Sequence, residues 1–217
     1  IAILDSSFNP PTRAHLALAA ASPPTSARYD ARLLLLSVRN ADKHLQPGDA
    51  SYAQRLQMMR LLAADLSAED PHANVAVGII DAPTFVGKAS VLQEAIRARV
   101  RGTLRLTFLQ GMDTLERFLA VRYYGSNDAM HESLARFFSD EGDNAAVVCA
   151  RRIMQRTLLE GASEYVSAGR ISLTDIGDTL QRLSSSEVRD KVRTGDDSWR
   201  EFVTERVAAY VEEQKLY

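Results

Sequence analysis

The chain has 217 residues, 46% of them hydrophobic and 25% charged, with 26 basic and 28 acidic side chains for a net charge of −2. That is globular composition with room for one sizeable core or two small ones, and its charge argues against a protein that coats nucleic acid. A single cysteine, Cys149, excludes an internal disulfide and a Cys-rich zinc site and fits a reducing compartment, while no apolar run approaches the roughly 20 residues of a membrane span.

In chain order, Ile1 to Leu4 is a short apolar run and reads as a strand, and Thr12 to Ala21, rich in Ala and Leu, reads as the first helix. The start at Ile1 rather than Met leaves a targeting segment upstream open. Ser22 to Asp30 is a turn-rich link, and Arg32 to Val38 (RLLLLSV) is a strand buried on both faces. A loop over 39–50 leads to a helix from Ser51 to Leu66, with Leu56, Met59, Leu62 and Leu66 at helical spacing. Asn74 to Ile80 is the third strand, Phe85 to Val100 a helix, and Thr103 to Leu109 the fourth strand. Gly111-Met112-Asp113 opens a helix to about Val121. A loop over 122–130 and a helix from Glu132 to Asp140 follow, then the fifth strand, Ala145 to Ala150. A helix near Ile153 to Leu159, a short sixth strand from Arg170 to Leu173, and helices from about Ser186 to Arg193 and Ser198 to Glu213 complete the pattern.

Strand–helix alternation at this spacing dictates a mostly parallel sheet with helices on both faces, in a single domain over 1–217. Ligands in such folds sit beyond the carboxyl ends of the strands. Four polar groups fall there: Ser6 to Leu16, Ser37 to Lys43, Gln110 to Asp113, and Leu183 to Arg189. The first is a strand, a tight turn and a helix, which turns free N–H groups and a positive helix end toward an anion; His15 lies about one turn in. The last carries Ser184 or Ser185 as helix cap, with Arg189 a turn later as a planar cationic fork for a polyphosphate. Gly111 permits close backbone approach, and Asp113 could accept hydrogen bonds from ribose hydroxyls.

Other motifs fail. Gly87-Lys88-Ala89-Ser90 is no phosphate-binding P-loop, because Ala82 stands where the first Gly belongs and Ala89 where Ser or Thr must follow the Lys. There is no Gly-x-Gly-x-x-Gly. The four histidines, at 15, 44, 72 and 131, lack metal-ligand spacing, and Cys149, inside an apolar strand, reads as packing.

Ser7-Phe8-Asn9-Pro10 with Thr12 and His15 resembles the N-terminal motif of the nucleotidyltransferase superfamily, Gly-Ser-Phe-Asn-Pro-x-(His/Thr)-x-x-His. Leu183 to Arg189 is similar to its second motif, Ile-Ser-Ser-Thr-x-x-Arg, with Ser186 in the Thr place. Within the superfamily the chain looks most like eukaryotic-type nicotinamide mononucleotide adenylyltransferases. Ser37-Val38, Asn40 and Lys43 resemble the segment leading to a substrate-phosphate lysine, followed by a helix with Arg55 and Met59. Gln110 to Leu115 resembles Gly-x-Asp-x-Leu, Val147 to Arg151 a strand ending in Arg, and Tyr210 to Tyr217 the familiar ending. Departures are Ser6 in place of Gly, Lys88 in place of Thr, and the absence of nearby stacking Trp; Phe85 falls at one such place, and Tyr123 or Tyr124 offers a second aromatic wall. The only Trp, Trp199, reads as C-terminal packing.

The resemblance implies an α/β Rossmann-like doubly wound parallel sheet of five to six strands with helices on both faces, the helical portion from about 184 to 217 completing an ATP site. It implies AMP transfer from ATP to nicotinamide mononucleotide, with His15, Thr12 and Arg189 as catalytic residues. ATP would be held by Ser7, Phe8, His15, Gly111, Asp113, Ser185, Ser186 and Arg189, and the acceptor by Ser7, Phe8, Lys43, Phe85, Lys88 and Arg151. The implied cofactor is Mg²⁺, held mainly by phosphates and water and not by a protein metal site. The implied partners are the two substrates, without nucleic acid or membrane; a homo-oligomer stays open, and the expected location is the cytoplasm, with the nucleus as a second. Two alternatives stay open as well: an ATP-binding protein with weak ATPase or regulatory activity, and an adenylyltransferase or cytidylyltransferase for another phosphorylated acceptor such as nicotinic acid mononucleotide.

Overall fold

Strand segments without polar alternation, such as Leu33 to Leu36, suit a sheet covered on both faces. In a computed structural model, which describes residues 1–24, 28–39, 46–150 and 162–217, six strands form one parallel sheet. They are β1 (Ala2–Asp5), β2 (Arg32–Ser37), β3 (Val75–Ile80), β4 (Leu106–Gly111), β5 (Ala145–Ala150) and β6 (Ile171–Thr174). Their order is β3-β2-β1-β4-β5-β6, and every pairing is parallel. This is the doubly wound α/β arrangement. The order reverses between β1 and β4, and the crevice outside their carboxyl ends is where such sheets take ligands.

The helices are α1 (Arg13–Ala20), α2 (Tyr52–Glu69), α3 (Phe85–Arg97), α4 (Met112–Phe118), α5 (Asn127–Phe138), α6 (Ser163–Ser167), α7 (Asp178–Gln181), α8 (Ser185–Thr194) and α9 (Glu205–Glu213). Successive strand residues feed opposite cores. Ile3, Leu35, Leu106, Phe108 and Val147 pack with α3, α4 and α5, while Ala2, Leu4, Leu34, Leu36 and Leu109 pack with α1 and α2. A third core of Met58, Val188, Trp199, Val203, Val207 and Val211 clamps α8 and α9 onto α2.

Several boundaries differ from the sequence reading. β4 runs from Leu106 to Gly111 rather than from Thr103 to Leu109, because its partner β5 begins opposite Leu106 and ends opposite Gly111. α5 starts five residues before Glu132, capped by Ser126, whose hydroxyl accepts from the Ala129 N–H; the polar first turn of Asn127 and Asp128 hid it. The helix read over 198–213 is two pieces. A 3₁₀ helix (Asp197–Phe202) and α9 are separated by extended backbone at Val203 and Thr204, where Val203 is fully buried. The helix expected near 153–159 lies outside the described residues.

Candidate active site

The turn from β1 into α1 fixes the histidine. The His15 Nδ1 accepts from the Thr12 N–H at 3.0 Å and lies 2.9 Å from the Thr12 hydroxyl. An Nδ1 that accepts a backbone N–H carries no proton itself, so the neutral ring is protonated at Nε2. That atom faces the Ser6 Oγ at 2.9 Å. The chain turns through Phe8, whose φ of 44° lies in the left-handed region that bulky side chains avoid. The Phe8 ring is wholly buried, 5.4 Å from the His15 ring. Ser6, which replaces the motif's Gly, has no positive φ, so the Gly's freedom is not required there.

Residues about 180 positions later close over this turn. Ser185 Oγ donates to the Pro10 carbonyl at 2.7 Å, and the Arg189 guanidinium donates to the Asn9 carbonyl at 2.7 Å and to Ser186 Oγ at 3.2 Å. α8 is presented for this by its Ser184 cap, whose hydroxyl accepts from the Glu187 N–H. The Asn9 side chain anchors the turn from beneath: it donates to Asp49 at 2.6 Å and accepts from the Ala50 N–H and from the Tyr217 hydroxyl. Asp49 also faces Arg55 at 3.3 Å and Arg189 at 3.6 Å. Burial pushes its carboxyl up, but hydrogen bonds from Gln46 and Asn9 and the two guanidinium groups outweigh burial and hold it below the ordinary value.

Two cavities meet over the carboxyl ends of the strands. One lies at the β1–β4 switch point and is lined by Ser6, His15, Gln110, Gly111, Asp113 and Leu183. The other lies over β1 to β3 and is walled by Phe85, Phe118, Tyr123 and Tyr124, with Lys88 and Ser7. Asp5, Ser6, Thr114 and Arg117 line both. Phe85 is held edge-on by Phe108 and Phe118 at 5.6 and 5.7 Å. Lys88 is 2% exposed; its ammonium lies 2.5 Å from Asp5 and 5.1 Å from the centre of the Phe85 ring. Burial raises the Asp5 carboxyl above its ordinary value, and Lys88 works against that rise.

No family model matches the chain. A Schizosaccharomyces pombe protein provisionally named nicotinamide mononucleotide adenylyltransferase is 30% identical over 212 residues, which cover 91% of this chain and 77% of that protein. The chain belongs to the nicotinamide mononucleotide adenylyltransferase family, a group of nucleotidyltransferase enzymes. Among solved structures it resembles a Vibrio parahaemolyticus protein provisionally named nicotinate-nucleotide adenylyltransferase, at 14% identity and a TM-score of 0.40 over 97% of each chain. It also resembles Thermotoga maritima TmcAL bound with alpha-thio ATP, at 15% identity and a TM-score of 0.47 over 99% of this chain and 55% of that one.

Against this family background, the residues singled out from the sequence fall into three groups. His15, Ser185, Ser186 and Arg189 converge on the β1–α1 turn, with Gly111 and Asp113 across the switch-point cavity. Ser7, Phe85 and Lys88 line the neighbouring cavity. Lys43 and Arg151 lie outside the described residues. One placement differs from the sequence reading. Thr12 is fully buried and its hydroxyl faces His15, so it positions the imidazole rather than reaching a phosphate. The Phe8 side chain is core, so a role in binding falls to its backbone. Sequence reasoning passed over Asn9 as an anchor, Asp49, Arg117 and the Asp5–Lys88 pair. Asn9 stood inside the quoted motif, but its partners lie 40 and 208 residues away. Among the described residues no group of three or more His, Cys, Asp or Glu could hold a metal ion, and no helix is long and apolar enough to cross a membrane.

Proposed function

We propose that the chain transfers AMP from ATP to nicotinamide mononucleotide, forming NAD and pyrophosphate. The observation that carries this reading is the meeting of two cavities at Ser6 beside His15 Nε2, one edged by Gln181 of α7 and by Leu183, two residues before α8, and one walled by aromatic rings. The ATP chain would lie in the switch-point cavity, its ribose at Gly111 and Asp113 and its outer phosphates toward Ser185, Ser186 and Arg189. The contacts of Arg189 to Asn9, Ser186 and Asp49 leave guanidinium donors over for a phosphate. The acceptor would place its ring among Phe85, Tyr123 and Tyr124 and its 5′-phosphate near Ser7 and Arg117.

An oxygen of the acceptor phosphate then attacks the α-phosphorus, and the bond from that phosphorus to the pyrophosphate oxygen breaks. No enzyme nucleophile and no net proton transfer are needed, so positioning and charge stabilisation carry the rate. The Nε2 proton of His15, held in one tautomer by Thr12, would leave Ser6 Oγ for an α-phosphate oxygen as charge builds there. Mg²⁺ would be held by phosphate oxygens and water and would supply charge neutralisation when bound.

A second reading changes only the acceptor. The Lys88 ammonium borders the aromatic cavity, which favours a carboxylate and hence nicotinic acid mononucleotide, whereas its pairing with Asp5 favours a neutral amide. The deciding experiment incubates purified protein with ATP, Mg²⁺ and each mononucleotide in turn and separates the products. NAD with pyrophosphate supports the main reading, and the acid dinucleotide alone supports the second. ADP with no dinucleotide from either acceptor overturns both in favour of an ATP-hydrolysing role.

A further inference from the structure

Gln110 breaks the logic of its strand. It lies next to the end of β4, on the face where Leu106 and Phe108 are wholly buried apolar residues. Gln110 is itself only 3% exposed, and neither its amide oxygen nor its amide nitrogen has a hydrogen-bond partner. Folded proteins rarely leave both ends of a buried amide unpaired, and a leucine or methionine would satisfy the packing here. Local rules broken in this way concentrate at functional sites.

The position gives the amide a task. Cys149 of β5 pairs with Gln110 on one side, and on the other the β1–β4 register, which ends at Leu4 and Leu109, points to Asp5. Gln110 therefore lies at the switch point itself, and it lines the cavity shared by Ser6, His15, Gly111 and Asp113. A carboxamide offers a donor and an acceptor side by side. Phosphate oxygens would use only the donor. A sugar hydroxyl, or the amino and ring nitrogens of adenine, would use both.

We propose that Gln110 is a substrate-binding residue that reads the adenosine part of ATP, its amide turning from beneath the cavity floor to pair with the nucleoside. This rests on the assignment of the switch-point cavity to ATP. The nucleotide-free protein holds the amide unpaired, and the bound nucleotide satisfies it.

The test is Gln110→Met, with Gln110→Leu as a second apolar replacement should the first fold poorly. Thermal denaturation without ligand should show Tm raised by about 2–6 °C, because two unsatisfied groups are removed. Calorimetric titration should show ATP affinity weakened by at least about tenfold, the loss expected of one hydrogen-bonded contact. The affinity for inorganic tripolyphosphate, which lacks the nucleoside, should match the wild type. A raised Tm with unchanged ATP affinity overturns the proposal and leaves a mere packing fault. An unchanged or lowered Tm in both variants overturns its premise, and equal weakening toward tripolyphosphate overturns the nucleoside assignment. Failure of the wild-type protein to bind ATP at all would instead remove the ATP reading of the cavity, and this proposal with it.

Discussion

Replacing Lys88 with Met probes the floor between the two cavities. The Lys88 ammonium is buried 2.5 Å from Asp5, whose side chain is only 8% exposed. Removing it leaves a buried carboxylate without its cation, a loss of about 3–5 kcal/mol. For a chain of this size each kcal/mol moves Tm by about 2–4 °C, so Tm near neutral pH should fall by roughly 6–20 °C. The loss should depend on pH in a definite direction. Burial already raises the Asp5 carboxyl above the ordinary 3.8, and without Lys88 it rises further. Between the ordinary value and that raised value the folded state holds more protons than the unfolded state, so stability falls as pH climbs through this window. Below it the deficit is smallest, and above it the full deficit is present. Circular dichroism melts of Lys88→Met near pH 4 and near pH 8 would measure this, beside Asp5→Asn/Lys88→Met, in which both charges are gone and most of the stability should return. An equal deficit at both pH values, or a double variant no better than the single one, would refute the argument.

His15→Ala should lower kcat by about 10²–10³ while the protein stays folded, since in the proposed transfer it removes the donor to the α-phosphate; steady-state rates beside a circular dichroism spectrum check this, and a near-normal kcat would sink the role. Asp49→Asn should flatten the acid limb of the stability curve. Because the Asp49 carboxyl is held below its ordinary value, its contribution is present above the unfolded value and lost as pH falls through the folded one. Urea titrations at several pH values would reveal a slope unchanged by the substitution if the clamp around Asp49 were not charged. Gly142→Ala should cost about 1–3 kcal/mol, because an added Cβ would stand 2.1 Å from the Arg136 carbonyl oxygen and force the backbone apart; KM values should not change, and a fully stable variant would contradict the packing at the α5–β5 turn.

The fold was legible because its signals are local. Buried strands such as Leu33 to Leu36 and Ala145 to Val148 announce themselves as unbroken apolar runs, and alternation with helices leaves a parallel sheet as the economical solution. Boundaries were less legible where they depend on a partner strand, as at both ends of β4, or on a single cap, as at Ser126. The site divides the same way. His15, Ser185 and Arg189 stood in recognisable strings of residues. The buried Thr12 hydroxyl turned toward His15, and the Asp5–Lys88 pair across 83 residues, depend on packing that no local spacing encodes. Ser6 is the instructive case. It stands where the motif has Gly, the residue most free to take positive φ, yet the positive φ falls two residues later, on Phe8, and the serine hydroxyl faces His15.

Phe8 also explains why the two ends of the chain must meet. A bulky residue held at positive φ costs of the order of 1–3 kcal/mol and persists only where the surroundings over-determine it. Here the next two carbonyls, Asn9 and Pro10, receive the Arg189 guanidinium and the Ser185 hydroxyl, and the Asn9 amide is fixed by Asp49, Ala50 and Tyr217. Hydrogen bonds to charged partners contribute about 1.5–3 kcal/mol each, so the Arg189 and Asp49 contacts suffice to offset the strained turn. Those partners are in turn held by the third core, in which Val188 on α8 packs with Trp199, Val207 and Val211. The C-terminal helices therefore do more than pack against α2: they hold the β1–α1 turn in the strained shape that orients His15. Loosening that core, for instance at Trp199, should disable the site through its shape before it unfolds the six-stranded sheet.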